Sequence, residues 1–569
     1  MRRIGLLAVL AAVSVSVAWA PGVAAHPERA AFYPNFDRAA QSFGPAFGFV
    51  PGARPIFAKK GGKRLVVCKP DSKKRIKRMK GSLKSPRKAK RYRKLNLRLL
   101  KQCKFRHIQS AVAKAKSGYR IAILPGVYRE EPSRKSPNPD PKCAGLFQRV
   151  GVNENQTIQR GAYLETETVI GSYEYHRKCP TSQNLIAITG DGPDADRKCD
   201  DKCNLQLVGT GLQPKHVKIE GQRSKLNVIK ADRADGIHMR NFKVELSDFN
   251  NIYILETNGF AVDKISSGYS REYGILSFAS DNGLYDRIDA YGSGDSGIYP
   301  GSGPEGHCQR YGIEIRRSKS HDNNIGYSGT AGNGVYAHDN EFFDNSSGMT
   351  VDSFAGNHPG MPQDCAKWEN NKIYSNNLDL WNDGRDEYCN VNKRPLSKRD
   401  PKIVCPTFQN PVGTGILIAG GNGNIARGNH IYDNWRDGIK LFWVPRELRG
   451  EDPTGQSVNT PNQFDTSLDN KITGNFMGLR PDGARDPNGN DFWWDGEGKG
   501  NCWENNKTPP GEDVKSNTLL DACPGKTVIV PGTAVDLATQ ASCATWNPYD
   551  EALQDPPGCD WFVVPPEPK

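Results

Sequence analysis

Residues 415–442 read GILIAGGNGNIARGNHIYDNWRDGIKLF. The stretch holds one full period, because GILIAG at Gly415 is answered by GIKLFW at Gly438, 23 residues on. Between them NHIYDN sets Asn429 and Asn434 five residues apart around the apolar pair Ile431-Tyr432. Both markers recur upstream. GILSFAS starts at Gly274, GIYPGS at Gly297, GYSGTA at Gly326 and GMTVDS at Gly348, in steps of 23, 29 and 22 residues. NEFFDN (340–345), NKIYSN (371–376) and NKITGN (470–475) repeat the asparagine spacing. A short period with β-type strand cores and Gly/Asn turns is one coil of a parallel β-solenoid, whose coils stack about 4.8 Å apart. Asparagine and glycine tolerate the left-handed turn conformation, and stacked asparagines can bond coil to coil. The hydrophobic fraction of 36% fits a narrow core that needs few inward side chains per coil.

Working outward, FRHIQSAVAKAKSGYRIAILPGVYRE (105–130) reads as a short amphipathic helix with Ile108, Val112 and Ala115 on one face, ended by Gly118. A strand over Arg120–Leu124 and the turn Pro125-Gly126 follow. This helix-strand-PGVY entry, the period near 23 and the N-x4-N turns resemble the right-handed parallel β-helix proteins of the pectate lyase-like superfamily. The resemblance implies an all-β solenoid over roughly 105–507 with an N-terminal helix capping the core, the place Ile108–Ala115 would take. It implies no single activity, since that superfamily holds polysaccharide lyases, glycoside hydrolases, uronan epimerases and non-catalytic surface proteins. The D-P-H-D signature of mannuronan epimerases and the polygalacturonase set are absent, so no subfamily's catalytic residues transfer.

The ends differ from the middle. MRRIGLLAVLAAVSVSVAWAPGVAA (1–25) has the charge, length and small-residue end of a secretory signal peptide. No later stretch is long and apolar enough to span a bilayer. All fourteen cysteines lie after it, an even count that in an exported chain predicts up to seven disulfides. Cys199 and Cys203 lack a zinc-type partner pair and read as disulfide partners of each other or of other cysteines. Residues 59–106 carry 22 Lys or Arg and one acid, leaving the rest of a +14 chain at −7. Residues 26–104 are therefore expected to be an extended basic arm, a solvated linker or a tether to an anionic wall polymer, with no nucleic acid as partner. Residues 508–569, with Cys523, Cys543 and Cys559, are expected to cap the last coil.

Strand alternation places the candidate site. In G-I-x-L-x the first and third residues after Gly face inward and the second and fourth outward. The outward columns read Leu276, Tyr299, Ser328, Thr350, Leu417, Lys440 and Phe278, Gly301, Thr330, Asp352, Ala419, Phe442. Asp352 and Lys440 are the charges in these twelve positions. Long insertions leave the same face with His307 and Arg310, with His358 and Asp364, and with Trp443, Arg446 and Glu447; NDFWWDGEG adds Trp493, Trp494 and Asp495. A groove floored by Tyr299, Thr350, Asp352 and Lys440 is the expected site, with Phe442 and the tryptophans as sugar contacts. Uronate lysis or epimerisation needs a base, an acid and a cation for the enolate-like charge. His358 or Lys440 could be the base. Arg310, Arg446 or a Ca²⁺ held by Asp352 and Asp364 could neutralise charge. Hydrolysis would instead pair Asp352 with Asp364 or Glu447. His321, His338 and His430 read as structural turn residues, and the GDSG at 294–297 as a turn into a strand. The expected protein is a secreted monomer acting on an acidic extracellular polysaccharide, or else a non-catalytic polysaccharide-binding protein.

Overall fold

The computed structural model describes residues 63–79, 86–150, 168–192, 198–354, 358–390, 393–444, 466–528, 539–540, 542–544 and 559–569. The signal-peptide reading of 1–25 and the linker reading of 26–62 lie outside them.

Three long parallel sheets wrap one core. The first has twelve strands, from Arg64–Val67 to Cys502–Glu504. The second has ten, from Gly126–Tyr128 to Phe476–Met477. The third has ten, from Asn184–Thr189 to Asn490–Trp494. The chain visits them in turn: Ile237–Arg240, then Lys243–Glu245, then Asn250–Leu255, then Asn258–Asp263 back in the first. This is a right-handed parallel β-helix. The inward column of the third sheet stacks Ile252, Ile275, Ile298, Tyr327, Met349, Ile416, Ile439 and Phe492 in unbroken register. All are buried in one cluster.

Asparagines fasten the corners. Asn340, Asn371, Asn429, Asn475 and Asn506 form a ladder between the first and second sheets, each amide Nδ2 donating to the next Oδ1 at 3.0 Å. Asn323, Asn345, Asn376, Asn434 and Asn488 do the same between the second and third. A third ladder, Asn424, Asn470 and Asn501, closes the remaining corner. NKITGN is thus one corner out of step with its fellows: it brackets the first-sheet strand Lys471–Thr473, whereas NKIYSN brackets the second-sheet strand Lys372–Tyr374. The leading glycines serve close packing. A Cβ on Gly348 would stand 2.5 Å from the Gly415 carbonyl oxygen and 2.8 Å from Asn376 Nδ2. The left-handed turn positions are taken instead by residues such as Asp344, Ser375 and Asp433.

The basic segment is folded over its described part. Arg64–Val67 pairs in parallel with Arg120–Ile123 as the first strand of the solenoid. Helices α1 (Ser72–Arg78) and α2 (Pro86–Leu100) pack over it. Leu99 joins Val66, Ile76, Met79 and Leu124 in a small cluster, and Asn96 Nδ2 donates to the Thr210 carbonyl at 2.8 Å. Cys68–Cys103 closes the unit. The arm expected over 26–104 is therefore, from residue 63 on, part of the cap, because a buried stripe of Ala89, Asn96 and Leu99 hides among the charges. Helix α3 (Ile108–Lys114) seals the open coil with Ile108, Ala111 and Val112. Glu130 Oε1 and Oε2 accept the backbone N–H groups of Ile108 and Gln109 at its start.

Seven disulfides use all fourteen cysteines, and Cys199 pairs with Cys203. Cys502–Cys523 ties the C-terminal cap to the last coil. Among the described residues no helix is long and apolar enough to cross a membrane.

Replacing Asn371 tests the ladder. Its Oδ1 accepts from the Asn340 backbone and amide, and its Nδ2 donates to Asn429 Oδ1 and the Ala337 carbonyl. Asn371→Leu strands several buried groups at roughly 1–3 kcal/mol each. A loss of about 3 kcal/mol or more is expected, read as a lower urea midpoint.

Candidate functional site

The two outward columns hold in register along the third sheet. Leu276 pairs with Tyr299, Ser328 with Thr350, Thr350 with Leu417, and Leu417 with Lys440; Thr330 pairs with Asp352 and Ala419 with Phe442. The columns also extend upstream through Lys230 and Tyr253, and through Asp232 and Leu255, so Asp352 and Lys440 are not their sole charges. Trp493 continues the outward column beside Lys440. Trp494 falls in the inward column beside Leu441, is buried in the core and donates its Nε1–H to the Glu497 carbonyl, so it offers no platform to a sugar.

This face is not an open groove. Asp352, Tyr299, Thr350, Phe442 and Lys440 are each 5% exposed or less. Two insertions cover it. Downstream of Asp352, residues 358–366 turn back over earlier rungs: the His358 ring meets Phe278 edge-on with centroids 5.2 Å apart, and Met361 packs on Ala331. Asn333 Nδ2 donates to the Gly360 carbonyl at 2.6 Å, and Cys308–Cys365 ties this insertion to the one carrying His307 and Arg310. At the other end Trp561 and Cys543 of the C-terminal segment lie on Phe442, Leu417 and Ala419.

One polar cluster sits beneath. Tyr299 Oη and His358 Nε2 are 3.3 Å apart. Thr330 Oγ1 donates to Asp352 Oδ2 at 2.7 Å, and the Phe354 backbone N–H donates to Oδ1 at 3.2 Å. The Tyr299 hydroxyl also meets the side chain and backbone of Thr330. Since Thr330 commits its hydroxyl proton to Asp352, its oxygen is left to accept. The result is a chain of polar contacts, His358–Tyr299–Thr330–Asp352. Burial pushes the Asp352 carboxyl up to about 6 against the pull of its two donors. Burial, and then the Asp352 charge, raise the Tyr299 phenol well above its ordinary value. Beside them the Thr350 hydroxyl is buried without a hydrogen-bond partner among the described residues. Thr330 is the member that sequence reasoning left off its site; its place next to Asp352 in the fourth column was the available signal.

Other candidates stand apart. Lys440 Nζ lies 3.5 Å over the Trp493 ring and 3.6 Å from Asp437 Oδ2, and burial lowers its pKa. Its charged neighbours are Asp437, Arg436 and Asp560, not Asp352. Arg310 is held by both oxygens of Asp281, at 2.7 and 3.0 Å. His307 is an exposed loop residue beside Glu305. Trp443 donates its backbone N–H to Asp495 Oδ2. Arg446 and Glu447 lie outside the described residues. The Asp364 carboxyl is pushed up to about 7 by burial and then by Glu305, with His307 opposing. A Ca²⁺ site would need roughly 6–8 oxygens. The Asp352 oxygens are engaged by Thr330 and Phe354, and Asp364 lies near Glu305 and His307. Among the described residues no group of three or more His, Cys, Asp or Glu could hold a metal. His321 and His338 are the last residues of strands, not turn residues, and are bonded to Asp289 and Asp322, and to Glu314 and Asp339; His430 opens a strand and stacks on Phe476.

No family model and no curated protein matches the chain. Solved structures do resemble it. The A-module of the Azotobacter vinelandii mannuronan C-5 epimerase AlgE4 is 11% identical with a TM-score of 0.34, over 60% of this chain and 88% of that one. Pectate lyase Pel9A is 11% identical with a TM-score of 0.30, over 90% and 92%. PfbA, a surface adhesin of Streptococcus pneumoniae, is 10% identical with a TM-score of 0.31, over 54% and 78%. Enzymes and an adhesin stand together at equal distance, so these likenesses carry no argument about activity. The right-handed parallel β-helix, the fold of the pectate lyase-like superfamily, rests on the chain's own three sheets and their register.

Proposed function

We propose that the protein is a secreted enzyme that removes the C5 proton of a uronate unit in an acidic extracellular polysaccharide. The observation that carries this reading is the Tyr299–His358 contact beside an uncommonly basic carboxyl, Asp352. Proton removal α to a carboxylate needs a base on one side and a proton donor on the other. His358 Nε2, in the tautomer that leaves it unprotonated once the sugar has parted it from Tyr299, is the base. Tyr299, whose raised pKa keeps its proton, is the donor. In elimination the C5–H bond breaks, its electrons form the C4=C5 double bond, the C4–O4 bond breaks and O4 takes the Tyr299 proton. In epimerisation the same donor returns a proton to the opposite face of C5. Asp352 sets the Thr330 and Tyr299 hydroxyls from behind. While it holds its own proton it also lets a substrate carboxylate approach without repulsion. The partnerless Thr350 hydroxyl can take a sugar hydroxyl. Because the cluster is buried, the sugar replaces contacts that His358 makes with Phe278 and Tyr299.

Uronate-containing polymers are the substrates to screen, following ultraviolet absorbance of unsaturated ends, C5 configuration by NMR, and reducing ends for hydrolysis. His358→Ala and Tyr299→Phe are expected to lower kcat by about 100-fold or more. A wild-type protein that leaves C5 of every uronate polymer untouched overturns the reading.

The Asp352 pKa has a stability consequence with a definite sign. The folded value, about 6, stands above the ordinary value of 3.8, so between these values the folded state holds a proton that the unfolded state has lost. Stability therefore falls as pH rises from 4 to 6, by about 3 kcal/mol. Asp352→Asn should gain on wild type across that window in thermal melts, and its activity should no longer decline as pH rises through about 6. In the wild type, activity should decline as pH rises through about 6.

A second reading, binding without catalysis, draws on α2. Lys90, Arg93, Lys94, Arg98 and Lys101 line a shallow groove of about 520 Å³ with Leu97 and no acid. An anionic polymer fits such a surface, with strong screening by salt. Changing Lys94, Arg98 and Lys101 to Glu should release the protein from uronate polymer at low salt without altering its melt. Unchanged retention would remove α2 as a contact.

A further inference from the structure

Residues 377–390 and 393–413 double back as a strap. It leaves the rung of Lys372–Tyr374 and runs over the turns of earlier rungs. Leu378 donates its N–H to the Asn345 carbonyl, the Asn324 amide donates to the Phe408 carbonyl, and Thr407 donates its N–H to the Gly294 carbonyl. Its far end reaches Arg223, whose guanidinium donates to the Pro401 carbonyl at 2.6 Å. Cys389–Cys405 braces the strap internally. A Cβ on Gly294 would lie 2.4 Å from the Cys405 carbonyl oxygen, so the first glycine of the GDSG turn makes room for the strap.

Between the strap and the turns lies a cavity of about 360 Å³, within the range of roughly 300–1,000 Å³ typical of ligand pockets. Arg223, Arg271 and Arg399 line it against one acid, Asp400, with Ser270 and Ser397 as hydroxyl donors and Pro401 and Ile403 as apolar wall. Arg271 Nε reaches Asp248 Oδ1 at 3.1 Å, yet its buried Nη1 has no hydrogen-bond partner among the described residues. Burial, and then the Arg271 charge, pull Arg223 down to about 9, with Asp248 opposing. Guanidinium groups favour planar or tetrahedral oxyanions.

We propose that this cavity is a binding site for one oxyanion-bearing sugar unit, its carboxylate or sulfate held between Arg271 and Arg223 and its ring set against Pro401 and Ile403. The site lies at the turns that lead into the third sheet, whereas Asp352 stands at the far ends of those strands. It does not depend on any catalysis there.

Calorimetric titration of the full disulfide-bonded chain with galacturonate, glucose 6-sulfate, glucose and inorganic sulfate tests it. One or both anionic sugars should bind, whichever is the source of the oxyanion, and glucose should not. Arg271→Gln should weaken that binding at least tenfold with an unchanged melt, and Asp352→Asn should not affect it. If Arg271→Gln fails to fold, Ser397→Trp, which fills the cavity from the strap, should abolish binding instead. No anionic sugar bound by the wild type, sulfate bound without any sugar, or equal affinity in the folded variant overturns the proposal.

Discussion

Every coil must return to the same register on the one before it, and this single requirement governs the molecule. Parallel strands offer no hairpin to set their pairing. The register is set at the corners, where each asparagine Oδ1 accepts both the amide and the backbone N–H of its predecessor, as Asn371 does for Asn340. Glycines such as Gly348 then allow one strand to lie against the next where a methyl group would collide. What faces inward is fixed by these contacts. What faces outward, and what is inserted beyond a strand end, is free to differ.

That freedom was used here to bury the outer face of the third sheet. A floor of Tyr299, Thr350 and Asp352 would be a solvent-lined groove if the turns stayed short. Instead the insertion that carries His358 folds back over it, and the C-terminal segment lies on Phe442. Burial turns an ordinary surface acid into a carboxyl with a pKa near 6. It also separates roles that look equivalent in the sequence. His358 lands on Tyr299, while Lys440 is enclosed with Trp493 and Asp437, away from Asp352.

The fold was legible because stacking dictates residue type at defined intervals, so Gly348 or Asn429 announces its place. The same chemistry serves every corner, however, and NKITGN therefore does not say which corner it occupies. The folding of 64–100 was hidden because surface lysines outnumber the few residues, Asn96 and Leu99 among them, that dock α2. At the site, Asp352 was visible as a charge among neutral outward residues. Thr330 was not, since a threonine on a strand is unremarked until its partner is known. Trp494 was misplaced by treating two adjacent tryptophans as one feature, although strand alternation sends them to opposite faces. The strap and its arginine cavity were illegible: no local pattern tells that residue 401 returns to residue 223.

The second sheet shows why the polar cluster sits on the outer face of the third sheet and not on its neighbour. There Tyr291, His321, Phe343, Tyr374 and Tyr432 stack in sequence with centroids 4.9–5.7 Å apart and planes within 17° of parallel. Each inner ring gives both faces to its neighbours and leaves its edge to the surroundings. A pyranose packs on an aromatic face, so the ladder stiffens the solenoid but offers no platform. In the third sheet the outward column passes from Tyr299 to Ser328 and Thr350 before Leu417. The stack is broken there by two small hydroxyl residues. The break leaves the Thr350 hydroxyl without a partner among the described residues, and leaves Tyr299, tilted against Tyr273 on one side, with its hydroxyl at His358. Regular stacking would have filled that notch; its interruption is what makes room for a polar cluster.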